Sequence, residues 1–195
     1  MRGGKPKPLA IDHHPSAQLL SDYLIANLSP GVALAVGAHL DLCAACRLAG
    51  AALAGSAAHP DTGASWSEAD THAAPWPTAV RHACAESWSP MRKGVEGSHA
   101  THVSGLGEFV YLLRALPGAD IGAASLSSAF VVLVTAGALD LDGRRFRAGD
   151  LVELAAPPAS AVADRAAGAS LLVVADESPR RLRGARPGAP APRSR

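Results

Sequence analysis

All eight histidines (His13, His14, His39, His59, His72, His82, His99, His102) and all three cysteines (Cys43, Cys46, Cys84) of this 195-residue chain fall within its first 102 residues. Nothing after His102 can supply an imidazole or a thiolate. Soft-metal and thiol chemistry is therefore confined to the first half, and the second half must fold without it. An odd number of cysteines does not make a fully paired disulfide scaffold, so the close pair Cys43-x-x-Cys46 points to metal or redox chemistry.

The two halves also differ in pattern. From residue 14 to about 57 the chain reads as helices. Leu19, Leu20, Tyr23, Leu24 and Leu28 recur at three- and four-residue steps, an apolar stripe bounded by Pro15 and by Ser29-Pro30-Gly31. A second run over 32–42 leads into a third, Ala-rich helix from near Cys43 to near Gly55. Residues 56–92 hold Pro60, Gly63, Pro75, Pro77 and Pro90 among Ser, Thr and Asp, which predicts a linker with a short helix over 78–86. From about Glu108 the runs 108–113, 130–135, 138–141, 151–154 and 170–174 are short, apolar and separated by turn signals, as strands are. Asp142-Gly143 predicts a two-residue hairpin, because a type I′ turn needs positive φ at both central residues. Arg144, Arg145 and Arg147 then read as a solvated edge strand. Strands so spaced favour a sandwich or small barrel. The expected fold class is α+β, a small helical module followed by an all-β module.

Composition sharpens this. Forty-two residues are Ala, and only 3 Trp, 2 Tyr and 3 Phe supply large aromatic surface, so the core is thin and gains from a staple. The formal net charge is +1. Arg2, Lys5 and Lys7 at the start and six Arg in residues 180–195 leave nine basic residues against 17 acidic ones between them. Residues 1–12 and 180–195 are expected to be disordered basic tails. A balanced charge argues against a specific nucleic-acid partner. No apolar run reaches the roughly 18 to 20 residues of a bilayer helix, and the start lacks a secretory stretch, so no membrane partner and a cytoplasmic location are expected.

One constellation carries chemistry: His39-x-x-x-Cys43-x-x-Cys46, with His14 upstream. On a helix, steps of four and seven residues put the last three side chains on one face, and a break between helices preserves that proximity. Two thiolates and two imidazoles complete a tetrahedral Cys2His2 zinc site with no position open for a substrate, which implies structure or switching rather than hydrolysis. The bland alternative is a pair of small buried thiols beside an incidental His. Elsewhere, His59, His72, His82, His99 and His102 read as loop residues, Cys84 as an inert linker thiol, and Trp66, Trp76 and Trp88 as docking residues of the linker.

The segment His13-His14-Pro-Ser-Ala-Gln-Leu-Leu-Ser-Asp-Tyr, then Leu28-Ser29, then Val36-Gly-Ala-His39-Leu-Asp-Leu-Cys43-Ala-Ala-Cys46-Arg47, resembles the start of ChrR-type zinc anti-sigma factors. The resemblance continues through Trp88-Ser-Pro-Met-Arg-Lys-Gly-Val95, Gly107-Glu-Phe-Val-Tyr-Leu-Leu-Arg114 and Phe146-Arg-Ala-Gly-Asp150, ending near Arg183. It implies a helical anti-sigma domain over 13–58, a linker over 59–92 and a cupin barrel (double-stranded β-helix) over 93–179. It also implies an extracytoplasmic-function sigma factor as partner, and one zinc per chain held by His14, His39, Cys43 and Cys46, with His13 as the alternative first ligand.

Two departures from the family stand out. The first cupin motif spaces a Gly, His-x-His, a Glu and a second Gly; Gly118 and Gly137 keep that separation, but the ligand positions hold Ala124, Leu126 and Phe130. The fourth ligand would fall near Ser160. None of these replaces an imidazole or carboxylate, so the barrel is expected to hold no metal, with Leu126 and Phe130 filling its interior. The second departure is Pro75 and Pro77, which interrupt the place of the family's longer fourth helix. Two function classes follow. One is a non-enzymatic, zinc-dependent anti-sigma factor released by oxidative-type stress, with the exposed part of the 19–28 stripe contributing contact area. The other is a cupin-type small-molecule sensor or enzyme to which the helices merely attach.

Overall fold

The computed structural model describes residues 11–53, 92–93, 98–103, 106, 109–121 and 126–176. The expectations for residues 1–10 and 180–195, for the linker with its 78–86 helix, and for His59, His72, His82, Cys84, Trp66, Trp76, Trp88 and Ala124 lie outside them, while Ile11 and Asp12, expected in the disordered tail, are held against the β structure.

Three helices open the described chain: α1 (Ala17–Leu24), α2 (Pro30–Leu42) and α3 (Ala44–Leu53). Ser16 caps α1, its hydroxyl accepting the Leu19 N–H at 3.2 Å. The other end closes with Ala26 in the left-handed region at φ 56°, its N–H donating to the Tyr23 carbonyl while the Asn27 N–H donates to that of Asp22. These are the two bonds of a Schellman cap, with Ala where Gly is usual. Pro30 starts α2, where its missing N–H costs nothing. At Cys43 the backbone turns extended and the axis bends by 115° into α3. Arg47 holds that corner, its guanidinium donating to the carbonyls of Leu40 and Asp41 at 2.7 and 2.8 Å. The third helix expected from near Cys43 thus begins after a sharp corner at that residue, and the corner keeps the spaced side chains close.

The strands are β1 (Arg92–Lys93), β2 (Ser98–Val103), β3 (Phe109–Ala115), β4 (Ala129–Leu141), β5 (Arg144–Arg147), β6 (Leu151–Glu153), β7 (Ala161–Ala163) and β8 (Ala169–Ala175). All pair antiparallel, in the order β1-β2-β3-β8-β4-β5, with β6 and β7 also on β4. Among the described residues the two ends of this path do not pair, so the architecture is a helical region on an antiparallel β-sheet structure, α+β in class.

Strand β4 corrects the sequence reading in one respect: 130–135 and 138–141 are one strand rather than two. It pairs with β8 and β6 along its first half and with β5 and β7 along its second, so its two halves serve different sheets. Gly137 makes this possible. Its φ is +72°, and a Cβ there would lie 2.1 Å from the Gly168 carbonyl oxygen. The Asp142-Gly143 hairpin is as expected, with φ of 49° and 78°. His99 and His102 lie on β2, paired with β3, and not in a loop; the polar sequence SHATHV carries no apolar alternation to announce a strand.

Side chains sort cleanly by face. Val110 and Leu112 of β3, Val131 and Leu133 of β4 and Leu172 and Val174 of β8 join Leu20, Val32, Ala35, Val36, Leu40, Cys43 and Cys46 in one core. Their neighbours Tyr111, Leu113, Val132, Val134, Leu171 and Val173 join Leu126, Leu139 and Phe146 in a second. Strands buried on both faces read as unbroken apolar runs, which explains VYLLRA and SLLVVA. Helix α2 lies against β4, β6 and β8, so the helices and the sheet share a core.

The 19–28 stripe is shared between core and surface: Leu20 is buried, while Leu19, Tyr23 and Leu28 pack on the shared core and stay half-exposed. One expectation changes here. Leu126 is indeed interior, but Phe130 is the extra residue of a β-bulge between Ala129 and Val131 and packs toward the helices. Ser160 is exposed, its N–H donating to the Asp142 carboxylate. No single helix among the described residues is long and apolar enough to cross a membrane.

Candidate metal centre

The α2–α3 corner brings three of the sequence-selected residues together. His39 sits on the last turn of α2, Cys43 at the bend and Cys46 on the first turn of α3. His14 arrives from the extended segment before α1. One ligand atom from each of His14, His39, Cys43 and Cys46 lies within 4.8 Å of all the others. His14 is exposed and the other three are buried, so the cluster is closed except along one side.

Hydrogen bonds assign the atoms that face inward. His14 Nδ1 lies 3.5 Å from Cys43 Sγ and 3.3 Å from Cys46 Sγ. The Cys46 N–H donates to Cys43 Sγ at 3.4 Å. His39 Nδ1 is 2.7 Å from the Gly149 carbonyl oxygen. A carbonyl only accepts, so Nδ1 carries the proton and Nε2 keeps its lone pair. That Nε2 is buried without a hydrogen-bond partner. A buried imidazole lone pair costs free energy unless something binds it. The His14 ring meets that of His39 edge-on, centroids 5.8 Å apart.

The electrostatics agree with a cation site. Burial holds the His39 pKa below its ordinary value, with proximity to His14 adding to this against the opposing Gly149 bond, which favours the neutral form a metal needs. Burial pushes the Cys46 thiol up to about 11, and the neighbouring Cys43 adds to it. A bound cation overcomes that penalty and holds a coordinating thiol as thiolate. The four residues can therefore hold a metal ion: two sulfur and two imidazole donors match the borderline-soft preference of a first-row divalent ion.

His13 does not join the cluster. Its Nδ1 faces the Asp150 carboxylate at 3.2 Å, Arg144 reaches its Nε2 at 3.3 Å, and its ring contacts Phe146. Sequence reasoning missed Gly149 and Asp150, which stand more than one hundred residues from the ligands they touch or position. The Gly-Asp turn signal located them without indicating what they meet.

No family model matches the chain, and no curated protein is a significant match. Solved structures do match. The crystal structure of Rhodobacter sphaeroides SigE in complex with the anti-sigma ChrR aligns at TM-score 0.64 and 25% identity, covering 86% of this chain and 100% of that one. The chain is similar to ChrR. Coverage of that extent spans helices and sheet together. Two partial matches, KdgF from Halomonas sp. (TM-score 0.36, 16% identity, 46% of this chain and 89% of that one) and the conserved SPY1581 protein of unknown function from Streptococcus pyogenes (0.32, 17%, 42% and 75%), are weaker.

Proposed function

We propose that this chain is a zinc-dependent anti-sigma factor, a non-enzymatic regulator that binds and represses an extracytoplasmic-function sigma factor. The observation that carries the reading is a closed cluster of two thiols and two imidazoles at a helix corner, in a chain similar over most of its length to ChrR. In this reading residues 13–58 form the sigma-binding module, 59–92 a connection and 93–179 a cupin-type barrel. His14 Nδ1, His39 Nε2, Cys43 Sγ and Cys46 Sγ would hold one zinc. Zinc so bound supplies a cross-link rather than a reaction centre. The half-exposed residues of the 19–28 stripe, with exposed Ile25 (69%), Leu48 (73%) and Leu53, would supply the contact area. A partner in the transcription machinery implies a cytoplasmic chain.

Release follows from the thiol pair. Cys43 and Cys46 would give two electrons to a peroxide or diamide-type oxidant and form one S–S bond. The zinc-bound thiolates carry no protons, so the two taken up by the reduced oxidant would come from solvent, and the site would lose its sulfur donors. The exposed side at His14 gives the oxidant its approach. Copurification of the zinc-loaded chain with the sigma factor encoded beside it tests the reading, together with repression in a transcription assay. A one-to-one complex that represses, and that diamide dissolves, is expected. Failure of the zinc-loaded chain to bind that sigma factor overturns the anti-sigma role, and a complex indifferent to diamide overturns the thiol switch.

A further inference from the structure

The backbone of the segment carrying His14 is hydrogen-bonded to the β structure. The Asp150 carboxylate, 1% exposed, accepts the N–H groups of Asp12 and His13 on Oδ1 at 2.9 and 3.1 Å. Its Oδ2 accepts the Arg147 N–H at 2.7 Å and faces His13 Nδ1 at 3.2 Å. The Leu151 N–H donates to the His13 carbonyl at 3.1 Å, and the Ser16 N–H donates to Glu153 at 2.7 Å. Ile11 covers Gly149, whose φ is +94° and where an added Cβ would lie 2.6 Å from the Ile11 side chain. The same Gly149 presents its carbonyl to His39.

Both imidazoles of the cluster thus depend on one turn. We infer that residues 147–151, joining β5 to β6, form the outer wall of the metal centre: the Gly149 carbonyl orients His39, and the Asp150 carboxylate fixes the strap that delivers His14. Gly149 and Asp150 are positioning residues and not ligands. The affinity of the helical region for metal is therefore set partly by the sheet. By linkage, bound metal in turn strengthens the hold of the strap on the sheet. This rests on the metal-site reading above and adds a route between the β structure and the thiol pair that needs no metal inside the sheet.

Asp150→Asn tests it in the full chain, because an amide cannot accept on both sides as the carboxylate does. Zinc affinity is read by competition with a chromophoric chelator, and site geometry from the visible ligand-field bands of cobalt(II). Loss of an outer partner of a metal ligand typically weakens binding by about 10- to 100-fold. We expect a loss in that range with shifted cobalt bands for Asp150→Asn. The control Asp164→Asn, whose carboxylate meets Arg145 and the N–H groups of Ala166 and Ala167, should keep wild-type affinity. If Asp150→Asn fails to fold, Gly149→Ala, which both displaces Ile11 and strains the backbone at φ +94°, should weaken zinc in the same way. In the wild-type chain, zinc should slow hydrogen exchange at the Leu151 amide. Wild-type affinity and bands in both turn variants overturn the inference while leaving the four-ligand site standing. A wild-type chain that takes up no zinc overturns the site itself and the inference with it.

Discussion

Helix α2 and strand β8 both pass through the shared core, yet they contribute to it differently. From α2 come Val32, Ala35, Val36, Ala38 and Leu40, small side chains that leave little apolar area to remove from water. Strand β8 buries every residue from Ala169 to Ala175, three of them facing the helices or the core edge and the rest facing inward. The helices carry the reactive side chains and little bulk; the strands carry the bulk and no thiol or imidazole among β3 to β8. A region short of apolar area gains most from a cross-link, which is what the cluster at the α2–α3 corner offers.

The largest expected effect breaks the contrast at the cross-link. Structural zinc sites carry apparent binding energies of about 10 to 16 kcal/mol, more than the packing of α2 and α3 can replace. Cys43→Ala or His39→Ala should therefore reduce bound zinc from about one per chain to nearly none, measured by elemental analysis. Helical circular dichroism should fall with it while the strand signal persists. Retained helicity in both metal-free variants would mean that the shared core alone holds the helices.

A matched pair on β8 separates the two cores. Leu171 and Leu172 are adjacent, both fully buried, and point to opposite faces. Each Leu→Ala should cost about 2 to 5 kcal/mol in denaturant unfolding. Only Leu172→Ala should also weaken zinc, because only that side chain packs toward the helices. Equal zinc affinity in the two variants would uncouple the shared core from the metal centre.

The sequence was legible where a local rule operated. Three helices, the Asp142-Gly143 turn and most strands follow from periodicity and turn chemistry, and the ligand set follows from His39-x-x-x-Cys43-x-x-Cys46 with His14 upstream. The choice between His13 and His14 was not legible, since it depends on Asp150 drawing His13 aside from 137 residues away. Phe130 was misplaced because a bulge resets the inward-outward alternation, and nothing in FVVLV marks the extra residue. Strand β7 was missed because Ala161-Val162-Ala163 is too short and too small to show a period, and its place is set by pairing with β4. An amphipathic helix shows which face is apolar but not what covers it.

Backbone strain gives smaller effects on each side of the molecule. At Gly143 an added Cβ would meet nothing within 4 Å, so Gly143→Ala isolates the cost of φ +78°. A non-glycine residue there costs about 1 to 2 kcal/mol, and the melting temperature of the β structure should fall accordingly. Ala26→Gly is its mirror image among the helices. Removing the Cβ at φ 56° should stabilise the α1 cap by up to about 1 kcal/mol, with the added freedom of the unfolded glycine offsetting part of the gain. A loss of stability in Ala26→Gly would show that the Ala methyl packs usefully despite its exposure.

The smallest effect is a pH dependence confined to the strand side. Asp164 accepts the N–H groups of Ala167 and Ala166 and pairs with Arg145, and these bonds hold its carboxyl at about 2, well below the usual carboxylate range. A carboxyl with a lower pKa folded than unfolded adds stability that is complete above the unfolded value and disappears as pH falls through the folded one. The contribution should therefore be constant at neutral pH and vanish between about pH 4 and pH 2. Being solvent-exposed, the pair is screened, so the slope should be shallow and shrink further in salt. Asp164→Asn should flatten that part of the stability profile without touching zinc affinity at neutral pH. An acid limb unchanged in Asp164→Asn would assign it to other carboxylates, and a zinc affinity that moved with it would extend the coupling between sheet and helices beyond the 147–151 turn.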